Sequence, residues 1–146
     1  GAGAVGSNVP GPDNIGGAGG AGRATCITGS PLLYAGGGGG GGYATTGESG
    51  AGGSGGGGNG GNPGCPAPVR ATMTAAVNTG GGGGGTGEIP KTIAGGSGGS
   101  GIVYLRFPGC ASVTVSPGTN TVTTCVGPAN DKVAKFTVSG TNTVTL

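Results

Sequence analysis

Apolar side chains fall in short islands separated by glycine, and within several islands they alternate with small or polar residues. Ile102-Val103-Tyr104-Leu105-Arg106-Phe107 is β-branched and aromatic, bounded by Gly101 and by Pro108-Gly109, which predicts a strand. Its mostly apolar character predicts burial on both faces. Residues 110–116 and 119–125 flank Pro117-Gly118 and predict a hairpin. Folded about that dipeptide, Val113 faces Val122 and Cys110 faces Cys125, with Ala111, Val113, Val115 and Val122 on one face. Pro-Gly favours a type II turn whereas two-residue hairpins prefer I′ or II′, so a longer loop would shift this register. Pairing about Gly140 sets Phe136 opposite Val144 and Ala134 opposite Leu146, a second hairpin. Lys132 and Lys135 are expected in solvent, or guarding an edge. Five short strands with regular turn residues predict a small antiparallel sandwich-like unit over 102–146.

Upstream, residues 69–77 alternate Val69, Ala71, Met73, Ala75 and Val77 on one face. Nine residues make a marginal helix, so the period of two predicts a strand. The islands 24–28 and 31–34 are read as strands or turns.

Composition changes this picture. Of 44 glycines in 146 residues, all but Gly109, Gly118, Gly127 and Gly140 lie in 1–101. Two domains follow: a glycine-rich scaffold, 1–101, and the small β unit, 102–146. Collagen is excluded, because glycine keeps no strict every-third register. A flexible Gly/Ser linker is one reading of the first segment, and long structured glycine loops are another. The pure runs 36–42 and 80–85, the ordinary islands between runs, and two cysteines favour a third. In it, side-chain-free backbone packs as parallel polyglycine-II-like helices with three residues per turn and ~3.1 Å rise. Backbone hydrogen bonds then replace much of a hydrophobic core. The fold class expected is all-β with little or no helix.

Charge is sparse: six Lys and Arg, four Asp and Glu, and no histidine or tryptophan. Six scattered cations make no nucleic-acid footprint, histidine-dependent catalysis is excluded, and no apolar run reaches the roughly 20 residues of a membrane helix. The Gly80–Gly85 run precedes Lys91-Thr92, but Pro90 stands where a phosphate loop requires glycine. Glu48 and Glu88 lie in glycine tracts with no reason to pair. No catalytic residue, metal site or cofactor is expected.

Cys26, Cys65, Cys110 and Cys125 lack C-x-x-C spacing, and an even count in a core-poor chain points to disulfides. Three connectivities are open. The hairpin register favours Cys110 with Cys125, leaving Cys26 and Cys65; free thiols, normal in a particle assembled in a cytosol, are the alternative. Tyr34 and Tyr43 flank the longest glycine run and, with Arg70, are the candidates for receptor or partner contact. The tyrosines' other role would be to fill apolar gaps in the scaffold.

Ser30-Pro31-Leu32-Leu33-Tyr34-Ala35 followed by seven glycines, the segment 52–62, and Gly98-Gly99-Ser100-Gly101-Ile102-Val103-Tyr104-Leu105-Arg106-Phe107 form a family pattern together. They resemble the glycine-rich C-terminal domains of tailed-phage tail-fibre and receptor-binding proteins, where a G-G-S-G-[IV]-V-x-x-R-[YF] segment closes the glycine tract. A final segment like Phe136-Thr137-Val138-Ser139-Gly140-Thr141 is also typical of them. The resemblance implies virion surface structure and host attachment, with no catalytic residue to carry over. The β-rich C-terminal unit departs from tip adhesins of that group. The Gly1-Ala2-Gly3 start is expected of a fragment or processed product.

The expectation is therefore a non-enzymatic phage structural protein, of tail-fibre or adhesin type, on the virion surface or extracellular. Expected partners are copies of itself in a homo-oligomer, other virion proteins, and a host glycan or protein receptor; neither nucleic acid nor membrane insertion is expected. The alternative is a secreted or cell-surface protein assembling into filaments by edge pairing. A third reading, ice binding through Thr-x-Thr rows, competes with the ordinary strand preference of threonine.

Overall fold

The computed structural model describes residues 1–9, 15–43, 48–62, 72–87 and 94–146. The protein is all-β, with strands β1 (Arg23–Thr25), β2 (Leu32–Tyr34), β3 (Val103–Phe107), β4 (Thr114–Ser116), β5 (Thr121–Val126), β6 (Asp131–Phe136) and β7 (Thr143–Thr145). Contacts group the chain into two units, Gly1–Ala24 with Leu33–Gly101, and Thr25–Leu32 with Ile102–Leu146.

The glycine-rich unit is organised by a period of three. Along the tract 36–42, Gly36, Gly39 and Gly42 donate to the carbonyls of Gly55, Gly58 and Gly61 at 3.1, 2.9 and 3.1 Å. Gly37 and Gly40 donate instead to Gly20 and Gly17, both at 2.8 Å. The same tract accepts from Gly82 and Gly85 at Gly36 and Gly39, and from Gly53 and Gly50 at Gly37 and Gly40. A β-strand has a period of two and a ladder on either side. Here partners recur every third residue and consecutive residues address different neighbours, which is the geometry of a threefold polyglycine-II helix. Segments 55–61 and 82–85 run parallel to the central tract, and 17–20 and 50–53 run antiparallel to it.

The third column, Gly38 and Gly41, makes no backbone hydrogen bond among the described residues but is packed as tightly. A Cβ on Gly38 would stand 1.9 Å from the Gly83 carbonyl oxygen, and one on Gly39 2.0 Å from that of Gly50. Any side chain there displaces a neighbouring backbone, so a pure glycine run is a packing requirement.

Peripheral tracts follow the same rule with one column open. Ile15, Ala18 and Ala21, then Glu48, Ala51 and Ser54, then Ala94, Ser97 and Ser100, recur every third residue on exposed or half-exposed positions, with mostly glycine between. The carbonyls of Glu48, Ala51 and Ser54 accept from Gly16, Gly19 and Gly22 at 2.7, 2.8 and 2.7 Å. Side chains leave outward while the backbone bonds inward.

The alternation at 69–77 does not build a strand in its described part. Thr72 and Met73 have helical backbone, and residues 77–80 form a turn. Met73 and Ala75 are buried, each 3 % exposed. The Met73 carbonyl accepts from Gly84 at 2.8 Å, and a Cβ on Gly61 would stand 2.9 Å from the Met73 sulfur. The apolar residues here plug the glycine scaffold, whose bonding recurs every third residue.

In the second unit β6 is the central strand of a three-stranded antiparallel sheet, order β3-β6-β5, and β4 pairs with β7. Neither hairpin expected from the sequence forms. β5 turns into β6 through Gly127 and Asn130, whose φ values of 68° and 52° place both in the left-handed region. The Asn130 amide closes that turn on the Gly127 carbonyl at 3.1 Å. Phe136 lies opposite Val103, and Ala134 opposite Leu105 and Val122. Val115, not Phe136, meets Val144. The Pro117 segment forms its own turn, closed by the Asn120 amide on the Pro117 carbonyl at 3.0 Å, and the chain diverges there as the turn chemistry allows. β3 is an edge strand with Val103 and Leu105 exposed at 57 % and 41 %, so its apolar run is not buried on both faces. The core is Val126, Val133, Ala134 and Phe136.

Candidate functional site

In the glycine-rich unit, the tracts leave side chains only outward columns and tract ends, with Met73 and Ala75 buried between tracts. Tyr43 ends the central tract and is 55 % exposed, whereas Tyr34, in β2, is half-buried. Nine residues separate them, about 28 Å at ~3.1 Å per residue. The two tyrosines therefore stand at opposite ends of the tract and do not form one surface. Arg70 and Cys65 lie outside the described residues.

In the second unit, one sheet face carries Tyr104 beside Lys135 and Arg106 beside Val133, which also faces Thr123. Arg106 Nε donates to Asp131 Oδ2 at 2.7 Å, with the side chains 33 % and 22 % exposed. Such a part-exposed pair contributes about 1 kcal/mol or less; its larger effect is to occupy Asp131. A further bond runs from Arg106 Nη2 to the Val126 carbonyl at 3.3 Å. The loop Thr25–Leu32 comes down on this face. Gly29, at φ 92°, has no side chain between it and Val126, where a Cβ would stand 3.2 Å from Cγ1.

Between loop and sheet is a half-enclosed cavity of about 200 Å³, lined by Thr28, Tyr104, Thr123, Val126, Val133 and Lys135. Val126 and Val133, 5 % and 2 % exposed, are apolar surface, while two hydroxyls, a phenol and an ammonium supply polarity. Lys135, expected in solvent, is half-buried, and its side chain makes no ion pair or hydrogen bond among the described residues. Lys132 is engaged differently, its Nζ donating to the Ala111 carbonyl. Both lysines sit on the central strand, which needs no edge protection.

Cys26, Cys110 and Cys125 are free and exposed. The disulfide expected between Cys110 and Cys125 is not formed, because the hairpin that would face them is absent. Cys110 follows β3 and Cys125 lies in a bulge of β5, at φ 59°, with β6 between those strands. Both thiols border one open hollow with Asn130, Asp131 and Lys132. Among the described residues no three His, Cys, Asp or Glu side chains gather to hold a metal ion.

Asn120 was not singled out by sequence and is the buried polar centre of this unit, 5 % exposed. Its Nδ2 donates to Ser116 O at 3.2 Å and Asn142 Oδ1 at 2.7 Å, and its Oδ1 accepts from Thr137 N at 3.2 Å. An asparagine beside a Pro-Gly turn is the sequence signal that marks it.

Residues 1–108 match the family described as glycine-rich domain. The chain belongs to the glycine-rich domain family. The match covers the threefold tracts and runs through β3 to Pro108, so the closure segment Gly98–Phe107 lies inside the family's span. No curated protein and no solved structure matches the chain.

Proposed function

We propose that this glycine-rich domain is a non-enzymatic structural module for host attachment, displayed on the virion surface as part of a phage tail fibre or adhesin. The observation that carries the reading is the exclusion of side chains from the tract interiors: with a Cβ at Gly38 only 1.9 Å from the Gly83 oxygen, variation is confined to outward columns and connections. A scaffold so built holds its connections rigidly, which reduces the ordering cost of binding. Free thiols at Cys26, Cys110 and Cys125 fit a particle assembled inside a reducing cell. Its partners on this reading are further copies in a homo-oligomer, neighbouring virion proteins and a host surface glycan or protein.

The exposed edge of β3, with Val103 and Leu105 uncovered, favours a second reading: extracellular filaments formed by edge pairing. Immunogold electron microscopy separates the two. Label on tailed particles, with soluble chain blocking particle adsorption to cells, supports attachment. Long capsid-free homopolymers contradict it.

A further inference from the structure

The cavity beneath the loop Thr25–Leu32 is assigned no role by the display of tract connections, and its chemistry selects a ligand. At about 200 Å³ it is smaller than the ~300–1,000 Å³ of sites for drug-sized molecules, which limits the occupant to about one sugar ring. Tyr104, half-buried, is an aromatic wall suited to the C–H face of a pyranose, and Val126 and Val133, 5 % and 2 % exposed, close the cavity's apolar floor. Thr123 brings a hydroxyl that both donates and accepts, and Thr28, whose Oγ1 donates to the Ser30 carbonyl at 3.4 Å, brings one that accepts from a sugar hydroxyl.

Lys135 decides the charge. Asp131, the acid of the same strand, is taken by Arg106 at 2.7 Å, which leaves the Lys135 ammonium on the cavity wall without an anion among the described residues. A phosphate site would present several backbone N–H groups or an arginine fork; one ammonium, two hydroxyls and an aromatic wall instead suit a carboxylate attached to a ring. The loop is preset: the Gly29 amide closes a turn on the Cys26 carbonyl at 2.9 Å, and the Ile27 amide donates to Thr25 Oγ1 at 3.4 Å.

We propose that this cavity binds a single acidic monosaccharide unit, a uronic-acid-type pyranose whose carboxylate pairs with Lys135 while its ring lies against Tyr104. This deepens the attachment reading by naming a ligand class, and it rests on that reading only for where the ligand is encountered.

The test is an amide-resolved NMR titration of the full chain with methyl glucuronoside, methyl glucoside and acetate in parallel. Expected are saturable shifts at Thr28, Tyr104, Thr123 and Lys135 with the glucuronoside, and roughly tenfold weaker binding of the glucoside, the loss of one charge-assisted contact. Lys135→Gln, with an otherwise unchanged spectrum, should abolish the preference for the acid, and Thr28→Val should weaken the acidic and the neutral sugar alike. No saturable shift, an undiminished preference in Lys135→Gln, or acetate matching the glucuronoside each overturns the proposal. A silent titration beside intact cell adsorption refutes the cavity and spares the attachment reading; the reverse pattern refutes attachment and spares the cavity.

Discussion

Asn120 donates its side-chain amide to Asn142 Oδ1 at 2.7 Å, and Asn142 in turn donates to the carbonyls of Val138 at 3.0 Å and Gly140 at 3.2 Å. The pair ties the start of β5 to the segment leading into β7, and through Ser116 O and Thr137 N it reaches the ends of β4 and β6. Four strand ends of the second unit thus converge on one buried asparagine.

Removing that centre leaves buried backbone groups unpaired. Asn120→Ala is expected to destabilise the second unit by about 2–3 kcal/mol, with Asn142→Ala costing less because its site is more open. Because the two are in direct contact, a double-mutant cycle should return a coupling of about 1 kcal/mol. Additive effects in urea unfolding would show that the clasp is not energetically real.

The threefold packing predicts opposite outcomes for substitutions in neighbouring columns. Gly39→Ala places a methyl 2.0 Å from the Gly50 oxygen and should cost ~3 kcal/mol or more. Ala51→Leu, in an outward column, should change stability by no more than ~0.5 kcal/mol. In a flexible glycine linker, by contrast, replacing glycine by alanine only restricts the unfolded chain. Thermal unfolding of the two variants against the parent checks this, and equal tolerance would contradict the packing.

The thiols give a chemical prediction. In a Cys65→Ser variant purified without reductant, Cys26, Cys110 and Cys125 should all react rapidly with a thiol reagent in the native state, since each is free and exposed. Intact mass unchanged by added reductant would agree; a two-proton gain on reduction would mean that a disulfide is present after all.

Much of the first unit was legible because a glycine run has few ways to form a backbone-bonded solid, and its composition announced that packing. A finer signal lay in the non-glycine residues: Ile15, Ala18 and Ala21, or Ala94, Ser97 and Ser100, mark the outward column by recurring every third position. Looking for regular glycine, as in collagen, misses this inverse register. The second unit yielded its strands and not their partners. Alternation fixes which residues share a face, but Val144 satisfies Val115 as well as it would Phe136, and only turn geometry chooses. The cavity joins Thr28 to Tyr104, Thr123 and Lys135, residues far apart in sequence, so no local pattern could reveal it.

The central claim is that the glycine tract 36–42 is a threefold helix bonded on several sides, and amide hydrogen exchange resolved by NMR tests it most directly. Gly36, Gly37, Gly39 and Gly40 donate to other tracts at 2.8–3.1 Å, while Gly38 and Gly41 donate to none of the described residues. The account predicts two slowly exchanging amides followed by one faster amide, repeated along the tract, with the slow set protected by orders of magnitude. Uniform exchange at the rate of an unstructured chain, or protection alternating every second residue, would contradict it.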